Sequence, residues 1–325
     1  MRMITLTSAA VVSLMFAGSG FAQEIAIDKP ECVAPAKPGG GFDLTCRIAQ
    51  SGLKGIIEQP VQVTFMPGGI GAVAINQFNT NRTDDPNAIV AFSSGSLLNM
   101  AIGKYGQWNE DDVKFTATAG QDYGAIIVKA DSPFKSLGDV LAALKENPAG
   151  VVLGAGGSVG SQDWMKAALL VRAEGIDPRK MRYVAFDGGG DAMAGLLGGS
   201  IQVYTGDVGE IVSMMDAGTI RVLAVMNDER LPAPFADTPT TVELGYKEAV
   251  WPIIRGYYMG KNVSDEAYNA WVSAFEKAYG TDEWKKTVTG QGLQPVALAG
   301  EEMSAEMLKR VERMRNIAKE AGLIN

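Results

Sequence analysis

Glycine and serine concentrate at four places where an extended segment gives way to helical spacing: Pro38 to Asp43, Ser93 to Ser96, Gly154 to Ser161 and Asp187 to Asp191. The first reads Pro38-Gly39-Gly40-Gly41-Phe42-Asp43. A helix start leaves backbone N–H groups without intrahelical partners, and the helix dipole adds partial positive charge there. Glycine lets a ligand atom come close to the main chain and admits unusual dihedrals. Together they make an anion site that needs no lysine. The hydroxyls of Ser94, Ser158 and Ser161 add donors. The chemistry this suggests is recognition of a carboxylate. One such turn often serves only tight packing, but four spread over both halves of a chain point to a shared purpose.

What the chain lacks narrows the rest. It contains no histidine, which removes Ser-His and Cys-His nucleophilic pairs, His-ligated zinc and histidine bases together. Lysine or carboxylate chemistry remains open. Gly154-Ala155-Gly156-Gly157-Ser158-Val159-Gly160 misses the dinucleotide pattern by one position, and no phosphate-loop or nucleophile-elbow motif is present. No cofactor and no metal are expected. The two cysteines, Cys32 and Cys46, are most simply a disulfide in an exported chain, with two buried free thiols as the alternative. A bond between them would close a short loop around the glycine run, for about 3 kcal/mol of stabilisation.

Export is read from the N-terminus. Arg2 precedes an apolar run from Ile4 to Phe21, and Gly20-Phe21-Ala22 offers a small-residue cleavage site. This is the pattern of a signal peptide over residues 1–22, with a retained membrane anchor as the alternative. The remainder, roughly 300 residues, exceeds one ordinary core, so two lobes are expected. A net charge of −8 repels nucleic acid and anionic lipid. It gives no general attraction for an anion either, so local geometry must hold one.

The elements that would position the turns alternate. Strands are expected at Glu31 to Ala36, Val61 to Phe65, Ala88 to Phe92, Phe115 to Thr118, Ala125 to Lys129, Val151 to Leu153, Met181 to Phe186, Ile201 to Tyr204, Arg221 to Val225 and Ile253 to Met259. Helical spacing covers Asp43 to Ile57, Ile70 to Phe78, Ser136 to Glu146, Ser161 to Ala173, Asp191 to Leu197, Ile211 to Met215, Asp265 to Tyr279, Asp282 to Thr289 and Glu301 to Ala321. The alternation predicts α/β layers on largely parallel sheets. In such sheets ligands gather at the carboxyl ends of strands, where these turns lie. Several residues have plain readings: Phe42 and Trp164 as packing groups, Asp43 and Asp191 as helix caps or first-turn acids. Lys37, Arg47 and Arg255 are surface or structural charges that could instead meet a second ligand carboxylate. Met303, Met307 and Met314 suit packing.

With these residues in view, the chain resembles the periplasmic solute receptors of tripartite tricarboxylate transporters, the Bug receptors. The resemblance is carried by Ala34-Pro35-Ala36-Lys37-Pro38-Gly39-Gly40-Gly41-Phe42-Asp43 and Phe65-Met66-Pro67-Gly68-Gly69-Ile70-Gly71. Gly157-Ser158-Val159-Gly160-Ser161-Gln162-Asp163 and Leu196-Leu197-Gly198-Gly199 add to it. It runs over nearly the whole mature chain, and Cys32 with Cys46 looks like the subgroup serving tricarboxylates such as citrate. It implies a two-lobed type 2 periplasmic-binding-protein fold with a ligand cleft between lobes. Lobe 1 would hold residues 24–125 and 252–325, and lobe 2 residues 126–251. The ligand set it implies is Gly40, Gly41, Phe42, Ser94, Ser158, Ser161, Gly189 and Gly190. Trp164 departs from the smaller or polar residue expected there, which bears on pocket size.

The function expected is therefore that of an exported, non-enzymatic, monomeric receptor. It would bind a small di- or tricarboxylate between its lobes, close on it by hinge motion, and deliver it to the transporter's membrane permease, with no nucleic acid involved. The rivals are a ligand-dependent sensory partner of a membrane receptor and an exported enzyme acting on carboxylic acids through Lys or Asp.

Overall fold

A computed structural model describes residues 27–320 and Ile324. The expected signal peptide, with its cleavage site at Ala22, lies outside the described residues.

The chain builds one mixed sheet, leaves it, builds a second, and returns. β1 (Glu31–Ala34), α1 (Gly41–Gly52), β2 (Gln62–Phe65), α2 (Ala72–Thr80), β3 (Ala88–Ser93), α3 (Ser94–Ala101) and β4 (Val113–Tyr123) come first. The second run is β5 (Ala125–Lys129), α4 (Leu137–Glu146), β6 (Val152–Gly156), α5 (Gln162–Ala173), β7 (Arg182–Phe186), α6 (Gly189–Leu197), β8 (Val203–Tyr204), α7 (Val212–Asp216) and β9 (Ile220–Val225). β10 (Pro252–Gly260) then rejoins the first sheet, and α8 (Asp265–Tyr279), α9 (Asp282–Gly290) and α10 (Gly300–Glu320) close the chain. The strand orders are β2-β1-β3-β10-β4 and β7-β6-β8-β5-β9.

The sheets are mixed rather than largely parallel. β1 runs parallel to β2 and β3, and β6 parallel to β7 and β8. β10 is antiparallel to β3 and β4, and β5 antiparallel to β8 and β9. The antiparallel pairs arise where the chain passes between sheets, a connection that alternating βα units do not foretell. Only Gly124 separates β4 from β5. Its amide donates to Trp251 O (3.0 Å), its carbonyl accepts from Met226 N (2.8 Å), and Trp251 N donates to Met226 O (2.8 Å). The two crossing segments are thus bonded to each other at the waist.

Each sheet buries both faces. On one face of the first, Trp271 and Phe275 of α8 and Trp284 of α9 pack with Tyr257; Tyr257 and Phe275 stack at 4.8 Å. On the other face Phe92, Phe115 and Tyr258 meet Met303 and Met307 of α10. In the second sheet, α4 contributes Leu137, Val140, Leu141 and Leu144 on one side, and α6 contributes Met193 and Leu196 on the other.

Three helix limits differ from the spacing, each for a local reason. α1 stops at Gly52, not Ile57: a Cβ at Gly52 would lie 2.4 Å from the Trp284 ring, and Gly55 turns the chain with φ +77°. α2 starts at Ala72, not Ile70, because Ile70 (φ +49°) and Gly71 (φ +97°) are left-handed. Ser93 to Ser96, read as a turn leading into a helix, already contains the first residues of α3: Ser93 caps it and Ser96 returns the bond, a capping box. Cys32 and Cys46 form a disulfide (Cα–Cα 5.4 Å) that ties β1 to α1.

Candidate functional site

Four helix starts border one cavity of about 50 Å³ between the sheets. α1 brings Gly40, Gly41 and Phe42; α3 brings Ser93, Gly95 and Asn99; α5 brings Ser161, Gln162 and Asp163; α6 brings Gly188 and Gly189. Each helix follows the carboxyl end of a strand, β1, β3, β6 or β7, where ligands gather in open α/β sheets.

The sides meet closely. A Cβ at Gly190 would fall 2.2 Å from Pro38 O, and one at Gly40 would fall 3.0 Å from the Gly189 amide nitrogen. Glycine at these positions lets the α1 and α6 turns touch. Lys37 Nζ pairs with Asp191 across the mouth (2.7 Å), and Lys104 Nζ donates to Val159 O (3.2 Å).

Of the residues implied by the resemblance, Gly40, Gly41, Phe42, Ser161 and Gly189 line the cavity, and Ser94, Ser158 and Gly190 do not. Ser94 sits in the first turn of α3, where its hydroxyl accepts from Ile254 N (3.0 Å). Ser158 is exposed ahead of α5, and the Gly190 backbone lies against the opposite turn. Ser161 caps α5 by accepting from Trp164 N, and donates to Gly156 O. Trp164 is half-buried against the core of the second sheet and does not line the cavity, so it does not limit its size.

The charged floor was not legible. Arg255 is buried; its Nε donates to Asp122 and its Nη2 to Asp207, both at 2.7 Å. Asp207 also pairs with buried Lys166, which holds Asp163 at 2.8 Å and donates to Gly206 O. Above them stands Glu210, whose Oε1 accepts from the Gly41 amide (2.6 Å) and whose Oε2 accepts from the Tyr204 hydroxyl. Burial, then Asp207 and Asp163, push the Glu210 carboxyl up to about 8. Burial likewise pushes Asp122 and Asp163 up. For Arg255, burial works against the charge, but Asp122, Asp207 and Glu210 outweigh it and hold the guanidinium ionised. Gln162 Oε1 is buried at the cavity and has no hydrogen-bond partner among the described residues.

Of the other residues singled out, Arg47 pairs with Asp43 one turn away (2.9 Å), and Asp43 accepts from the Gly39 amide. Both serve the start of α1. Arg255 is buried, pairs with Asp122 and Asp207, and also lines the cavity. Among the described residues, no group of His, Cys, Asp and Glu side chains is placed to hold a metal.

Comparison with known sequences places this arrangement. The profile described as "Tripartite tricarboxylate transporter family receptor" matches residues 45–323. The chain belongs to this family of receptors. It is 22% identical over 320 residues to protein BugT of Bordetella pertussis, covering 96% of this chain and 97% of BugT. Among solved structures, the periplasmic binding protein BugD superposes with a TM-score of 0.80 at 19% identity, over 91% of this chain and 97% of that one. MatC from Rhodopseudomonas palustris with bound malate superposes with a TM-score of 0.76 at 17% identity, over 90% and 99%. These likenesses show the two-lobed periplasmic-binding-protein fold for the receptor.

Proposed function

We propose that this receptor works in the periplasm, captures a small di- or tricarboxylate between its lobes, and hands it to the membrane permease of a tripartite tricarboxylate transporter. The observation that carries the reading is the convergence of four helix N-termini, two from each side, on one cavity. Their amides and dipoles are suited to carboxylate oxygens. The malate held by MatC is a ligand of that class.

Residues 24–125 with 252–325 form one lobe and 126–251 the other, with the hinge at Gly124, Met226 and Trp251, where the crossing segments bond to each other. The α1 and α6 turns meet across the cavity, with Gly190 against Pro38 O and Gly40 against the Gly189 amide, so the ligand enters with the lobes apart. The amides of the α1 and α6 starts, at Gly40, Gly41, Phe42, Gly189 and Gly190, hold its carboxylates. Ser94, Ser158 and Ser161 are the hydroxyls assigned to the ligand beside these amides. Gln162 Oε1 accepts from a ligand hydroxyl or acid proton. The receptor acts as a monomer and without turnover.

The test is thermal melting against citrate, malate, succinate, adipate and benzoate. A receptor for one of these acids melts higher as that acid is added, by mass action on the folded state. Flat melting temperatures for all five, in folded protein, overturn the reading.

A further inference from the structure

The amide best placed to receive a ligand carboxylate is already holding one. Gly41 N, in the first turn of α1, donates to Glu210 Oε1 at 2.6 Å. Glu210 comes from the turn after β8, on the other sheet, so this bond crosses the cleft. A Cβ on Gly189 would fall 2.6 Å from both Glu210 oxygens and from the Tyr204 hydroxyl, so the carboxyl also lies at the start of α6. Glu210 therefore sits between two helix N-termini from opposite sides, where an acid ligand would sit.

The surroundings do not favour leaving a second negative charge there. Tyr204 of β8 donates to Glu210, and Asp207 lies in its own turn. α5 presents Asp163 and Lys166, β10 presents Arg255, and β4 presents Asp122. Both cations are already shared among those three aspartates. α1 offers only the Gly41 amide, because its Asp43 turns to Gly39 N and Arg47. Above about pH 8 an arriving carboxylate thus meets an ionised Glu210, beside an Arg255 already shared with Asp122 and Asp207. Like charges at such a distance cannot both persist, and one takes a proton.

We propose that Glu210 is a specificity-determining residue that occupies the Gly41 amide as an internal acid group and yields it to the ligand's carboxylate only in its protonated form, so that acid capture by the ionised form is coupled to uptake of one proton. The exchange balances: Gly41 N–H changes acceptor from Glu210 to the ligand, and one solvent proton goes to a Glu210 carboxyl oxygen. The neutral acid can then donate to the ligand instead of repelling it. The carboxyl's upward displacement, to about 8, places the exchange just above neutrality. The inference rests on the reading that the ligand is a carboxylate.

The test is calorimetric titration of the whole folded receptor with citrate, malate and adipate, at pH 7 and pH 9, each in two buffers of different ionisation enthalpy. Wild-type protein is expected to take up close to one proton per ligand at about pH 9 and little at pH 7. Its affinity should weaken by about tenfold between pH 7 and pH 9. The Glu210→Gln variant should bind with no proton uptake and with the same affinity at both pH values. Glu210→Ala serves as the second variant if the amide perturbs folding, and the wild-type proton count needs no variant. Wild-type binding without proton uptake at pH 9, or a folded Gln variant that keeps the wild-type pH dependence, overturns the proposal. If no acid binds wild-type protein at either pH, the carboxylate reading fails first and this inference falls with it.

Discussion

The guanidinium of Arg255, on β10 of the first sheet, lies 2.7 Å from the carboxylate of Asp207, which follows β8 of the second. With Asp122 at the same distance, this buried pair joins the two sheets at the floor of the cleft, next to the segments that cross between them. A buried pair adds little net stability over an apolar replacement, yet removing one partner strands the other without water. Arg255→Met should therefore destabilise the protein by about 3–5 kcal/mol, read as a lower urea midpoint. Arg255→Lys keeps the charge but loses the fork that reaches both aspartates, and should fall between the two. An Arg255→Met protein as stable as wild type would show that the floor is not held this way.

Gly190 separates closure from folding. Its missing Cβ would strike Pro38 O at 2.2 Å, on the opposite side of the cleft. Within α6 itself alanine is favoured over glycine by about 0.5–1 kcal/mol. Gly190→Ala should melt at or slightly above the wild-type temperature while its affinity for the acid ligand falls at least about tenfold, because the lobes cannot meet. Gly41→Ala is the contrast. There the new Cβ would land 2.1 Å from Arg255 Nη1, within the first sheet's own side, so both stability and binding should fall.

Glu210 gives stability a pH dependence of known sign. Its carboxyl is raised to about 8 in the fold, above its unfolded value near 4.3. The folded state therefore holds a proton that the unfolded state has lost between those values. The contribution is complete below about pH 4.3 and is lost as pH rises through about 8. Glu210→Gln should remove part of this decline, so its stability relative to wild type improves across that window, on the order of 1–3 kcal/mol. Asp122 and Asp163 are raised too, and leave a residual slope of the same sign. Urea midpoints from pH 5 to pH 9 check this; parallel curves for the two proteins would contradict it.

The Cys32–Cys46 bond closes a loop around the glycine run, with a sequence separation of 14. Reduction, or the double change Cys32→Ala with Cys46→Ala, should cost about 3 kcal/mol in the chain-entropy account. Denaturation with and without reductant measures it. An unchanged midpoint would mean that the packing of α1 on β1 alone fixes the loop.

The glycine turns were readable because they are local: a strand end, a few small residues and a helix start follow one another in sequence. Gly40, Gly41, Phe42, Ser161 and Gly189 reach the cavity for that reason. The floor was not readable because its members meet only in space. Arg255 and Asp122 are 133 positions apart, and Lys166 and Asp207 are 41 apart. Nothing in Asp207-Val208-Gly209-Glu210 signals that Glu210 will face the first glycine turn. Ser94 reads as a free donor because its partner, Ile254 N on β10, is 160 positions away in sequence. The antiparallel strands escaped notice since they depend on where the chain changes sheets. The long α8 and α10 were legible from apolar spacing alone.

The central claim is that helix starts from both lobes close on one small acid. Native mass spectrometry of the intact protein with an equimolar mixture of citrate, malate and adipate tests it most directly. The account predicts one acid bound per wild-type chain and none retained by Gly190→Ala. Bare wild-type protein, or the same adduct on both proteins, would contradict it.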